Sequence, residues 1–151
     1  MEVIRYEAPG WGAGELWLED GLLLNHELPS ARPGAETARH PLAGRLLAYF
    51  RGERVDFGDV ALDLEWMTPF QGAVAETLRG VPYGEVVTYG ELAALAGHPN
   101  AQRAAGSFCA GNRFPIVVPC HRVVAANGLG SYGSLGTGYK RRLLALEGAE
   151  G

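Results

Sequence analysis

In PIVVPCHRVV, residues 115–124, Cys120 and His121 stand side by side behind Pro119 and ahead of Arg122. A thiol attacks as its thiolate, and a neighbouring imidazole can take the thiol proton or stabilise the charged sulfur. Pro119 fixes the backbone and has no amide hydrogen, so the thiol after it is presented at a rigid bend rather than inside a regular ladder. An imidazole used this way needs a third group to hold its tautomer, and Glu147 in the closing stretch YKRRLLALEG is a candidate. The dipeptide alone leaves two readings open: a nucleophile with its base, or a buried cysteine acting as a small hydrophobe beside a hydrogen-bonded core histidine.

The elements around this pair must decide how it is presented. Immediately before it, the apolar run PIVV reads as a buried strand. Further upstream, Thr68 can cap a helix whose inner face carries Phe70, Val74 and Leu78 and which ends at Gly80, before a turn at Pro82-Tyr83-Gly84. Thr88 and Glu91 have the spacing of a capping box, opening a short helix from Glu91 to Ala96 that Gly97 stops. A second helix fits residues Asn100 to Gly111, and the two together have the outline of a helix-turn-helix. Any two packed helices joined by Gly-His-Pro share that outline. The second helix is distinguished by small residues, Ala101, Ala104, Ala105, Gly106 and Ser107, around a single long cation, Arg103. Such a face suits close approach to a nucleic acid.

The other half reads differently. Short apolar stretches between Met1 and Asn25, broken by Gly, Pro and Asp, predict two or three strands in hairpins. Residues 30–40 read as a polar loop, and Pro41 opens a helix carrying Leu42, Leu46, Leu47 and Phe50 that Gly52 stops. From Arg54 to Trp66 the chain reads as an extended connection. The expected fold is α+β: a small β-rich α/β module over residues 1–65 and a mostly helical domain with a winged helix-turn-helix over residues 66–151.

The 151 residues suffice for one ordinary domain or two small ones, and 47% hydrophobic with 20% charged residues is ordinary for a globular protein. No apolar run approaches the roughly 18 residues a membrane helix needs, and MEVIRYEAPG lacks the basic start and apolar core of a secretory signal. The expected address is the cytoplasm, without a membrane partner. The net charge of −4 is unevenly spread: residues 1–78 hold 13 acidic against 6 basic residues, whereas residues 79–142 hold 7 basic against Glu85 and Glu91. The second stretch could therefore face a phosphate backbone. Cys109 and Cys120 are the only cysteines, with no CxxC, and the first half offers only His26 and His40, so neither a disulfide framework nor a metal site is expected.

Taken together, TPFQ, VPYGEVVTYGELAALAG, AQRAAG, Asn112, PIVVPCHRVV with an NG shortly after it, and KRRLLALEG resemble one family, the O6-alkylguanine-DNA alkyltransferases, over nearly all of Thr68 to Gly148. The first half matches only the outline of that family's variable module. The resemblance implies repair of double-stranded DNA by a protein used once: Cys120 takes the alkyl group from O6-alkylguanine, and O4-alkylthymine by extension, and keeps it as S-alkylcysteine without a cofactor. It implies that His121 acts through water as base, Glu147 orients it, Asn112 holds the turn, and Tyr89 donates to the guanine as its oxygen leaves. Arg103 would enter the base stack in place of the flipped nucleotide. Thr88, Ala101, Gly106, Ser107 and Arg122 are expected on the DNA side, and Tyr132, Val123, Cys109, Gly133 and Ser134 around the alkyl pocket. The protein is expected to act as a monomer.

Three positions depart from the family's pattern. Tyr132-Gly133-Ser134-Leu135-Gly136 replaces the usual Tyr-Ser-Gly-Gly-Leu, Arg113 follows Asn112 where proline is usual, and Cys109 stands at an apolar pocket position. Three other functions compete with transfer: a lesion-sensing relative that binds alkylguanine without transferring, a helix-turn-helix regulator without chemistry, and a cysteine hydrolase built on Cys120, His121 and Glu147. The first class lacks the cysteine, the second predicts sequence-specific binding, and the third needs an oxyanion hole for which no motif is present.

Overall fold

The structure is a computed structural model that describes residues 1–31 and 39–149. Most of the predicted 30–40 loop therefore lies outside the described residues. The chain forms two compact units: Met1–Asp63 with Arg113–Pro115, and Leu64–Asn112 with Ile116–Gly151.

In the first unit, β1 (Glu2–Ala8), β2 (Gly12–Glu19) and β3 (Leu22–Ser30) form an antiparallel meander in the order β1-β2-β3, followed by α1 (Pro41–Phe50). Alternation along β1 buries Ile4, Tyr6 and Ala8, and the unit's core adds Leu16, Leu23, Leu46, Tyr49 and Phe50. Pro41 opens α1 as expected, and the His40 ring accepts from the Leu42 amide as its cap. The extended 54–66 stretch partly joins this core, because Leu62 bridges to Leu23 in parallel.

His26 is buried in this unit. Its Nδ1 lies 2.7 Å from the Pro115 carbonyl oxygen and its Nε2 2.6 Å from the Tyr6 hydroxyl. A carbonyl only accepts, so Nδ1 carries the proton and Nε2 accepts from Tyr6. Gly14 makes room for this phenol, since a Cβ there would stand 2.5 Å from the Tyr6 ring. Burial pushes the His26 imidazole down to about 4, against the opposing pull of the Pro115 carbonyl and Glu27. Between about pH 6.5 and 4 the unfolded chain binds a proton that the folded chain refuses, so stability falls as pH falls through that window. The expected loss is about 3 kcal/mol. Urea unfolding at both ends of the window should show this slope in the wild type and a flatter one in His26→Gln; parallel slopes would refute the assignment.

The second unit contains α2 (Pro69–Arg79), β4 (Val87–Thr88), α3 (Tyr89–Leu95), α4 (Gln102–Ala110), a 3₁₀ turn at Cys120–Arg122, β5 (Val123–Val124) and α5 (Gly136–Leu146). Both predicted caps form: the Thr68 hydroxyl accepts from the Gln71 amide while Gln71 answers the Thr68 amide, and Thr88 and Glu91 do the same. Val74, Ala75 and Leu78 form the buried face of α2, whereas Phe70 is half-buried against the His98 ring, 4.9 Å away. The second helix of the pair starts at Gln102 rather than Asn100, because Asn100 takes a φ of 69° that no α-helix accommodates.

The PIVV run is a correction. Ile116, Val117 and Val118 are buried, but the segment is turn, not strand. Ile116 has a φ of 74°, which coils the chain and breaks any ladder. The strand pairing near it is short and parallel, Val87 with Val123 and Thr88 with Val124. That pairing brings the start of α3 beside the segment carrying Cys120.

Candidate active site

Cys120 opens the 3₁₀ turn directly after Pro119, with its side chain buried. The turn is held at both ends: Asn112, just past α4, donates from Nδ2 to the Val118 carbonyl at 2.8 Å, and the Arg122 amide donates to the Pro119 carbonyl at 2.9 Å. Asn112 therefore bridges the end of the second helix and the segment bearing the thiol. Burial raises the Cys120 thiol above its ordinary range. Hydrogen bonding by Asn112, the charge of Lys140 and a hydrogen bond from Tyr132 act the other way.

His121 is wholly enclosed, and its Nε2 lies 2.6 Å from Glu147 Oε2. Burial lowers the imidazole below its usual range, outweighing the pull of the Glu147 carboxylate, so the ring is neutral. With Nε2–H donated to the carboxylate, the lone pair resides on Nδ1. The chemistry is that of a proton acceptor whose tautomer is fixed from behind.

Glu147 is the C-cap of α5 rather than a residue within it, and its carboxylate is fully used. Besides His121, it accepts from Arg122 Nε at 2.9 Å and Nη2 at 3.1 Å, and from the Gly84 amide at 3.1 Å. The Arg122 Nη1 donates to the Val81 carbonyl at 2.8 Å, and the guanidinium lies 5.7 Å from the Tyr83 ring centroid. This corrects the expectation that Arg122 faces DNA. The residue is 8% exposed, and its side chain is paired in a fork with a buried carboxylate.

Tyr89 begins α3 and is half-buried. Burial raises its phenol, with Cys109 and Cys120 adding to the shift, so the hydroxyl keeps its proton and can donate. Gly106 of α4 faces the Tyr89 ring, where an added Cβ would stand 3.9 Å away. Cys109 on α4 is half-buried, and its thiol is pushed up to about 12, chiefly by burial, with Cys120 adding to the shift. Both cysteines are free thiols.

Of the expected pocket residues, Tyr132 is half-buried within reach of the thiol and its ring stacks on Tyr139 at 6.2 Å, while Val123 is fully buried in β5. Gly133 and Ser134 are exposed, and Gly136 already begins α5. On α4, Arg103, Ala104 and Ser107 are exposed, Ala101 and Gly106 are half-buried, and Ala105 with Phe108 faces inward. The Thr88 hydroxyl is engaged as the α3 cap. One residue escaped the sequence reading: Lys140 of α5, which is buried with its ammonium 5.6 Å from the Tyr89 ring centroid and 3.3 Å from the Ser131 carbonyl oxygen. Its signal was compositional, as the sole lysine among 12 arginines.

Among the described residues no three His, Cys, Asp or Glu side chains gather as a metal-binding group, and no helix is long and apolar enough to cross a membrane. Residues 69–149 match the family model described as the 6-O-methylguanine DNA methyltransferase DNA-binding domain. The methylated-DNA–protein-cysteine methyltransferase of Methanopyrus kandleri is 49% identical over 120 residues, covering 78% of this chain and 88% of that protein. Its counterpart from Methanosarcina acetivorans is 46% identical over 126 residues, covering 82% and 78%. Among solved structures, Mycobacterium tuberculosis OGT in complex with DNA is similar with a TM-score of 0.79 at 36% identity, over 97% of this chain and 93% of that one. The O6-methylguanine-DNA methyltransferase of Pyrococcus kodakaraensis is similar with a TM-score of 0.73 at 26% identity, over 97% and 98%.

Proposed function

The chain belongs to the methylated-DNA–protein-cysteine methyltransferases, and we propose that it repairs double-stranded DNA by moving the alkyl group of O6-alkylguanine onto Cys120, once per molecule, with O4-alkylthymine as a second substrate. The observation that carries this reading is the buried thiol on a braced turn, next to a neutral histidine whose tautomer Glu147 holds.

In the proposed step, His121 Nδ1 takes the Cys120 proton through water, and the resulting imidazolium is stabilised by Glu147. The thiolate forms a bond to the alkyl carbon as the bond from that carbon to the guanine oxygen breaks. The electron pair stays on the base, which takes a proton donated by the Tyr89 phenol and remains in the strand as guanine; the phenolate then regains a proton from solvent as the His121 imidazolium gives its own up to solvent. A thioether cannot return to a thiol by this route, so turnover stops at one. A base stacked in a duplex cannot reach an enclosed thiol, which requires the nucleotide to be flipped out. The exposed small residues of α4 around Arg103 suit a close approach to the minor groove, and Arg103 fills the vacated place in the stack.

Incubating the full chain with a duplex carrying O6-methylguanine and recording intact mass tests this. The expected result is one added methylene, located on Cys120, saturating at one equivalent and absent in Cys120→Ala. Tight lesion binding with no mass change would sink the transferase reading in favour of a lesion sensor, and repeated turnover would sink it in favour of a hydrolase.

A further inference from the structure

Just ahead of α5 the chain turns one side chain inward. Ser131 and residues 133–135 are exposed, whereas Tyr132 between them is half-buried, with its hydroxyl oxygen enclosed. That hydroxyl hydrogen-bonds to the Cys120 thiol in the sense that favours a charged sulfur, so the phenol donates. The backbone alone does not aim it. The Gly136 amide donates to the Tyr132 carbonyl at 3.1 Å and Gly133 takes a φ of 54°, which closes a tight turn but leaves the Tyr132 side-chain torsions open. The ring is met from α5: Tyr139 stacks on it with centroids 6.2 Å apart and planes at 25°, inside the roughly 4.5–7 Å range of offset aromatic pairs. Tyr139 is itself half-buried, and burial raises its phenol well above the ordinary range, so this ring stays neutral.

We propose that Tyr139 is a positioning residue of the transfer reaction: its ring, set in the first turn of α5, holds the Tyr132 ring so that the Tyr132 hydroxyl stays on the Cys120 sulfur. The thiol proton still leaves through His121, while Tyr132 keeps its own and donates a hydrogen bond that strengthens as the sulfur becomes negative. A donor fixed before the charge develops needs no reorganisation when it does. Glycines at 130, 133, 136 and 138 surround Tyr132 with positions that have no side chain to brace it, so the brace comes from the helix. The other groups acting on the thiol are His121 on the same turn, Asn112 just past α4, Lys140 from α5, Cys109 from α4 and Tyr89 from α3, and all of them are left in place by the test. The inference rests on Cys120 being the acceptor. Its failure is separable from that reading, because a small electrophile reports on the thiol without DNA.

The test follows iodoacetamide alkylation of Cys120 in the full chain against pH, read by peptide mass, for wild type, Tyr132→Phe, Tyr139→Leu, Tyr139→Phe and the double variant Tyr132→Phe with Tyr139→Leu, with thermal midpoints alongside. Tyr132→Phe keeps the stacked ring and removes the donor. Its pH–rate profile is expected to move to higher pH, which reads as about tenfold slower alkylation at neutral pH. Tyr139→Leu should produce more than half of that loss on a logarithmic scale, and Tyr139→Phe, which keeps the ring, should return to the wild-type profile. In the double variant the loss should be no larger than in Tyr132→Phe alone, since a brace has nothing to hold once the hydroxyl is gone. A wild-type profile for Tyr132→Phe or for Tyr139→Leu would overturn the proposal, even if transfer from DNA were slower, and so would losses that add in the double variant. Should Tyr139→Leu not fold, Tyr139→Met fills the site flexibly without a ring and is read in the same way.

Discussion

Replacing Glu147 with glutamine is expected to destabilise the protein by about 3–5 kcal/mol, the usual consequence of leaving one member of a buried ion pair uncompensated. The carboxylate accepts from His121, twice from Arg122 and once from the Gly84 amide, and none of these donors has solvent to fall back on where Arg122 and His121 are enclosed. An amide offers one acceptor oxygen and turns its nitrogen toward a donor. Transfer should suffer separately from stability, because the His121 tautomer loses the group that fixes its Nε2–H. A loss of about 10²–10⁴ in single-turnover rate is the scale of a general base put out of action. Urea unfolding of Glu147→Gln, Arg122→Met and the double variant distinguishes the two effects. Stability should be partly recovered in the double variant, since the orphaned cation is gone, whereas the transfer rate should not recover. Additive losses of stability would mean that the fork between Arg122 and Glu147 is not the coupling drawn from the geometry.

Arg122 also marks a limit of what the chain reveals unaided. A basic residue next to an active cysteine reads as a phosphate contact, because the carboxylate that claims it lies 25 residues away and only folding brings the two together. Lys140 is a similar case: a lone lysine between Tyr139 and Arg141 on a terminal helix reads as solvated, and its enclosure depends on Gly130 and Tyr89, which are remote in sequence. Features set by local chemistry were legible. The caps at Thr68 and Thr88 arise from side chains three residues apart, and Pro41 and the β1 alternation mark their elements in the same way. The failures occurred where composition and backbone disagree, as in PIVV, whose apolar residues suit a strand while Ile116 sits in the left-handed region. Such a residue costs on the order of 1–3 kcal/mol and persists only where its surroundings hold it. Here it lies inside the span that the Asn112 side chain closes onto Val118, four residues before the thiol.

Changing Arg103 to alanine is expected to slow transfer from an intact duplex by about 10²-fold while leaving the reaction of Cys120 with iodoacetamide at the wild-type rate. Arg103 is exposed on α4 among Gln102, Ala104 and Ser107, and among the described residues no hydrogen bond or ion pair depends on it, so stability should change little. Under the proposed function its contribution lies in the flipped state: unstacking a base costs a few kcal/mol, and a side chain that occupies the gap recovers part of that cost. Recovery of about 2.7 kcal/mol corresponds to the expected hundredfold. A substrate that is already unstacked should therefore be insensitive. Single-turnover rates measured on a duplex, on the same lesion opposite a mismatch and on a single strand should show the Arg103→Ala defect shrinking in that order. A defect of equal size on all three would assign Arg103 to plain phosphate attraction, and raising the salt concentration would then erase the difference between variant and wild type. The small residues beside it make the complementary case. Ser107→Leu leaves Arg103 in place but holds the helix away from the groove, so its duplex defect should match that of Arg103→Ala if close approach is what lets the arginine reach the stack.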